Sequence, residues 1–291
     1  MRDFVIVTDS SCDLPEDTIR DLDLTVLPLS VFVGDTKYVN YPDERDISYP
    51  AFYQLLRDGS PTKTSAVNTQ EFLEVFTPIS EKGKDILYLG FSSALSGTCS
   101  AGAMALKELS SRFPEGKFFA VDSLSASLGQ GLLVWHCVQE KRKGKTIEQV
   151  RDYAEEAKFH LCHWFTVDDL KHLKRGGRVS AATALVGTLL NIKPILHMDD
   201  EGRLIPVGKV RGRKASIRAL VEKMQKLAVD PAEQTVFICH GDCREDAETA
   251  AKMIRETMGV KKDILIHYTG MVIGSHSGPG TLSLFFMGTH R

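Results

Sequence analysis

The order of apolar and polar segments predicts an α/β protein: an N-terminal unit built on a parallel sheet, then a mixed α/β unit with antiparallel strands. Three observations carry this. Apolar runs at residues 4–8, 86–89 and 117–121 each break into a short polar loop: Thr8-Asp9-Ser10-Ser11, Ser92-Ser93-Ala94-Leu95-Ser96-Gly97-Thr98 and Val121-Asp122-Ser123. A helical pattern follows each loop, which is the spacing of βαβ units. Beyond a polar amphipathic helix at residues 146–157 the grammar changes, and residues 192–198 and 203–210 flank the turn Asp199-Asp200-Glu201-Gly202 as a hairpin. The domains are therefore expected at 1–158 and 159–291.

The bulk composition narrows the function classes. The chain has 291 residues, 43% hydrophobic and 25% charged, with a formal net charge of −2. That balance argues against a nucleic-acid binder relying on a broad basic surface. The longest apolar stretches, such as residues 181–190, are too short to span a bilayer, so no stable membrane insertion is expected. Asp3 and Asp9 interrupt what would be the apolar part of a signal peptide, so the N-terminus reads as a first strand and the protein as cytoplasmic. Six scattered cysteines without a C-x-x-C read as reduced thiols. His160-x-Cys162-His163 and Cys239-His240 with Cys243 lack the paired spacing of a zinc site, so no metal is expected.

Taken in order, residues 4–8 form a strand, and Asp13-Leu14-Pro15-Glu16 opens a helix with Asp13 as its cap. Residues 24–33 alternate and continue through Gly34-Asp35 as a hairpin. Residues 48–56 carry Phe52, Leu55 and Leu56 on one helical face. Residues 58–65 read as a polar loop, and Thr69 as the cap of the next helix. A helix with Gly129-x-Gly131 covers residues 127–141. In the second half, strands at 161–167, 235–240, 263–268 and 282–287 alternate with helices at 168–173, 181–190, 213–227 and 244–258.

Four stretches look like site loops: residues 62–65, 92–98, 174–180 and 273–280. In the second, an apolar strand runs into small hydroxyl residues and then a helix, the place where open α/β sheets bind ligands. Free N–H groups at that helix start, and its dipole, suit an anion; Ser96 either caps the helix or faces such a ligand. In the fourth, His276 stands among serines and glycines as one titratable group in an unusual backbone. Ser96 and His276 could form a nucleophile and base, the alternative reading being a Ser-dependent acyl hydrolase, with Asp9 or Asp122 to orient the histidine. The G-x-S-x-G elbow is absent, as are the Gly-rich phosphate loops of nucleotide binders.

The ordered set Thr8-Asp9-Ser10-Ser11, Thr64-Ser65, Ser92-Ser93-x-Leu95-Ser96-Gly97-Thr98, Val121-Asp122-Ser123, Leu173-x-Arg175-Gly176-Gly177-Arg178, Ile192-Lys193-Pro194-Ile195-Leu196 and Ile273-Gly274-x-His276-x-Gly278-Pro279-Gly280 resembles the DegV family over nearly the whole chain. The resemblance implies a bacterial fatty-acid-binding protein that is not itself an enzyme, needs no cofactor and holds the acyl chain between two domains. Members called FakB present the fatty acid to a separate fatty acid kinase, FakA, which makes the acyl phosphate. By motif, the resemblance assigns the carboxylate to Thr64 or Ser65, Ser96 with the Gly97 helix start, and a protonated His276. It assigns Arg175 to kinase docking. Candidate tunnel residues are Ala184, Leu185, Leu189, Ile192 and Ile195.

Two departures stand out. The family's Thr-Ser-Gln-Pro run reads Thr64-Ser65-Ala66-Val67, and its Tyr-Gln-Ser after the Ser-Gly-Thr reads Cys99-Ser100-Ala101. Energetically a lipid carrier is reasonable: each buried methylene is worth roughly 0.8 kcal/mol, on the order of 10 kcal/mol for a long chain before ordering costs.

Overall fold

The computed structural model describes residues 2–179 and 191–291. The first half of the chain forms β1 (Phe4–Asp9), α1 (Glu16–Asp21), β2 (Thr25–Leu27), β3 (Ser30–Val33), β4 (Thr36–Val39), α2 (Tyr49–Arg57), β5 (Thr62–Ser65), α3 (Thr69–Glu81), β6 (Asp85–Gly90), α4 (Thr98–Arg112), β7 (Phe118–Asp122), α5 (Leu128–Arg142) and α6 (Ile147–Ala157). β2, β1, β6 and β7 lie side by side in that order, all parallel. Every residue of β6 is buried, which explains its unbroken apolar run. Its side chains alternate between two cores: Ile86 and Tyr88 face α3 and α4, and Leu87 and Leu89 face α5 and α6.

The second half forms β8 (Leu161–Thr166), α7 (Lys171–Gly176), β9 (Ile192–Met198), β10 (Leu204–Arg211), α8 (Arg213–Leu227), β11 (Val236–His240), α9 (Arg244–Met258), β12 (Ile264–Tyr268), α10 (Met271–Ser277) and β13 (Leu282–Met287). Its six-stranded sheet has the order β10-β9-β8-β13-β11-β12, with β11 and β12 parallel and the other neighbours antiparallel. The architecture is thus a parallel sheet and a mixed sheet, with helices on both, and a small third sheet of β4, β3 and β5.

α5 lies between the two sheets. Its first two turns are buried on every side, with Leu128, Leu132, Leu133, Val134 and, further on, Cys137 all fully buried. One core joins Leu87 of the parallel sheet through these residues to Phe237 and Phe285 of the mixed sheet. Here the Gly-x-Gly finds its reason. A Cβ on Gly129 would stand 2.9 Å from the Phe285 ring, and one on Gly131 would stand 2.8 Å from the Cys12 carbonyl. Close helix packing requires these glycines.

Some expectations need correction. Residues 24–33 are two strands: β2 joins the parallel sheet, and after Pro28 the chain starts β3, which pairs with β4 and β5 in a separate antiparallel sheet. The end of the expected polar loop at 58–65 is β5, whose Thr64 pairs with Val31. Its alternation of half-buried Thr with exposed Lys and Ser carries no apolar signal. α3 is capped by Asn68, which accepts from the Glu71 N–H at 3.1 Å while Glu71 accepts from the Asn68 N–H at 2.8 Å. Asp13 caps nothing; it is buried and accepts from the Ser127 hydroxyl at 2.5 Å. The expected helix at 181–190, with Ala184, Leu185 and Leu189, lies outside the described residues.

Candidate functional site

The site grows from the carboxyl end of β6. The buried Asp9 pins the loop there: its carboxylate accepts from the Tyr88 hydroxyl at 2.8 Å, the Phe91 N–H at 3.1 Å and the Ser11 N–H at 3.1 Å. Asp122 accepts from the N–H groups of Ser93 and Leu124. Both carboxylates are thus taken up by backbone N–H groups and, for Asp9, by the Tyr88 hydroxyl, and neither orients His276 as the hydrolase reading required. Across the loop the Ser92 hydroxyl donates to the Gly202 carbonyl at 2.7 Å, tying the β9–β10 hairpin to it. In the turn before α4, the Ser96 hydroxyl accepts from the Thr98 N–H at 3.2 Å and lies 2.9 Å from the Thr98 hydroxyl. Ser96 therefore supports the helix start and also lines the cavity beside it.

His276 belongs to the last turn of α10, not to a loop; the irregular backbone begins at Gly278. Its Nε2 lies 2.9 Å from the Thr64 hydroxyl on β5. α7 packs on α10 so closely that a Cβ at Gly176 would come within 2.3 Å of His276 Nδ1. That contact gives the first Gly of Arg175-Gly176-Gly177-Arg178 its purpose. Burial, and then the charges of Arg178 and Arg175, push the His276 imidazole down to about 4. The ring is neutral at physiological pH, so the expectation of a protonated donor is corrected: His276 offers a neutral hydrogen bond.

Thr64, Ser65, Ser96, Gly97 and His276 all line one cavity of about 270 Å³ between the two sheets, near the lower end of the usual small-molecule range of roughly 300–1,000 Å³. Thr64 is half-buried, whereas Ser65 is exposed and its hydroxyl donates to the neighbouring Ala66 carbonyl at 3.4 Å. Apolar walls come from Leu29, Phe91, Phe165, Leu173 and Val272. Ile195 faces α8 in the far core, and neither it nor Ile192 lines the cavity, so both drop out as tunnel residues. Among the described residues Ser96 and His276 share no hydrogen bond; each is engaged by a threonine instead.

Arg175 is exposed, outside the cavity lining, and its guanidinium reaches His172 Nδ1 at 3.1 Å. Arg178 does line the cavity, with Nε donating to the Leu95 carbonyl at 3.4 Å. It supplies the cation that the sequence reading left without a role, although the Gly-Gly-Arg spacing contained it. His163, on an inward position of β8, enters the sequence analysis only in a cluster rejected as a zinc site. It too lines the cavity. Cys162 donates to the His290 carbonyl, Cys239 lies against Ser127 and Thr269, and among the described residues no group of three His, Cys, Asp or Glu converges as a metal site.

The model of the DegV family of uncharacterised proteins matches residues 3–289. The chain belongs to the DegV family. A DegV domain-containing protein of Clostridium perfringens is 49% identical, covering 99% of this chain and 98% of the relative. Among solved structures, a DegV protein of Thermus thermophilus, described by its fatty acid binding, superposes with a TM-score of 0.89 at 29% identity, covering 99% of this chain and 100% of that one. A DegV lipid-binding protein of Thermotoga maritima gives 0.87 at 30% identity, with 99% of both chains covered. Among the described residues, no helix is long and apolar enough to cross a membrane.

Proposed function

We propose that this protein binds a long-chain fatty acid between its two sheets, with no cofactor, and presents it to a fatty acid kinase in the cytoplasm. The observation that carries the reading is the cavity itself. Hydroxyls of Thr64 and Ser96, the start of α4 at Gly97, the His276 ring and the Arg178 guanidinium gather at one polar end, and apolar walls lead away from it. A buried carboxylate needs such donors and an opposite charge. Solved DegV relatives described as lipid- or fatty-acid-binding support the same reading. Of the Thr64 and Ser65 pair Thr64 holds the carboxylate, with Ser96, Gly97 and His276, and Arg175, exposed beside the cavity, docks the kinase. The units 1–158 and 159–291 form the two walls.

Lipid extracted from purified protein and identified by mass spectrometry tests the binding. About one long-chain fatty acid per chain is expected; protein that carries none and takes none up at micromolar concentration refutes it. Arg175→Ala is expected to keep its lipid but lose most acyl phosphate formation when a kinase is supplied. Unchanged phosphorylation removes the docking role.

A further inference from the structure

α10 lays out the head and the tail of the cavity on its own surface. Val272 and His276 are four residues apart, as are Ile273 and Ser277, and all four line the cavity. Residues so spaced share a helical face, so α10 shows two adjacent stripes, each apolar in one turn and polar in the last. One turn is about 5.4 Å. Ser277 therefore stands beside His276 at the polar end, with the apolar pair one turn away.

Ser277 is 5% exposed, and its hydroxyl has no hydrogen-bond partner among the described residues. Other hydroxyls of the same lining are engaged. Thr64 is held by His276 at 2.9 Å, Ser96 by Thr98 at 2.9 Å, Ser127 by Asp13 at 2.5 Å, and Thr281 by the Gly278 carbonyl at 2.7 Å. Buried polar groups are normally paired, and an unpaired one keeps its full desolvation penalty. A hydroxyl left open against a cavity is matched to a group that arrives with the ligand. On the fatty-acid reading that group is a carboxylate, whose two oxygens accept up to about four hydrogen bonds. The Cα atoms of His276 and Ser277 are about 3.8 Å apart, a spacing that one carboxylate can bridge with an oxygen to each side.

We propose that Ser277 is a direct carboxylate ligand: its hydroxyl donates to the oxygen opposite the one held by Thr64 and His276, so the polar end reads both oxygens of a free acid. This inference rests on the fatty-acid reading above and names the residue that separates a free acid from a single-oxygen head group. A fatty alcohol satisfies the Thr64 and His276 side and leaves Ser277 unpaired. Sites built to hydrogen-bond a group discriminate against the analogue that lacks it for this reason. The hydroxyl thus serves the loaded protein and destabilises the empty one.

Two measurements on Ser277→Ala, with opposite expected signs, test this. Delipidated Ser277→Ala should melt at or above the temperature of the delipidated natural protein, because the change removes an unpaired buried hydroxyl. Fluorescence titration should show it binding tetradecanoate about tenfold more weakly than the natural protein does, the worth of roughly one hydrogen bond. Its affinity for 1-tetradecanol should stay within about twofold. A delipidated Ser277→Ala that melts lower, or fails to fold, means that the protein itself uses the hydroxyl, and overturns the inference. Unchanged tetradecanoate affinity, or an equal loss for acid and alcohol, overturns it as well. Natural protein that binds no fatty acid removes the fatty-acid reading and this inference together.

Discussion

Two neutral histidines line the cavity, and the fold holds them differently. At the polar end His276 is locked by Thr64 at 2.9 Å, with Gly176 pressed against its other face and Arg178 nearby. On the β8–β13 wall His163 has one long contact, 3.3 Å to Ser125, and an aromatic neighbour. The first arrangement is fixed before a ligand arrives, so little ordering remains to be done when the carboxylate binds. The second is held by packing more than by hydrogen bonding.

Acid should bring the largest change, because it charges buried rings. His136, His267 and His276 are each held down to about 4 by burial, and His163 is held well below its usual range. Their unfolded value is about 6.5. The unfolded state thus binds more protons between those values, so this stability is complete above pH 6.5 and lost as pH falls toward 4, on the order of 1–3 kcal/mol per ring. Asp13 works in the opposite sense: burial raises its carboxyl to about 7, and its contribution is fullest below pH 4 and gone above 7. Thermal unfolding from pH 7 to 4.5 should show a Tm falling by several degrees, and His163→Phe should remove part of the fall. A flat Tm contradicts buried neutral rings.

The next effect belongs to the polar end alone. Arg178→Gln should weaken fatty acid binding by about a hundredfold, since the carboxylate then lacks its counter-charge. Circular dichroism should confirm that the fold is kept. Smaller again, His276→Ala and Thr64→Val should each cost about tenfold, and the double variant little more than either, because the two share one hydrogen bond. Additive losses would mean that they act independently. The least effect is expected from Ser65→Ala, under about twofold, because that hydroxyl is exposed and turned to Ala66. Affinity should also stay flat from pH 6 to 8. A decline centred near 6.5 would mean that His276 binds as imidazolium.

The same contrast explains what could be read beforehand. The polar end was legible because its groups follow strand ends or stand among small residues: Ser92 to Thr98 after β6, Gly176-Gly177 before Arg178, and Gly278-Pro279-Gly280 after His276. Such interruptions of apolar sequence are visible without a fold. The mixed sheet was legible as well, from the hairpin turn at Asp199 to Gly202. β5 was not, because Thr62-Lys63-Thr64-Ser65 has no apolar face and becomes a strand only through pairing with β3. Nor was the role of His163. A histidine between Cys162 and Trp164 on a wholly buried strand says nothing about which face meets a cavity until β13 and α5 pack against it.

The central claim is that a fatty acid lies in this cavity with its carboxylate at His276, Thr64 and Arg178. Carbon-13 NMR of a carboxyl-labelled long-chain fatty acid on the protein tests it most directly. The account predicts one bound, ionised carboxyl resonance that shifts in Thr64→Val and His276→Ala and stays in place in His163→Phe. No bound resonance, or one that moves with His163 and ignores His276, would contradict it.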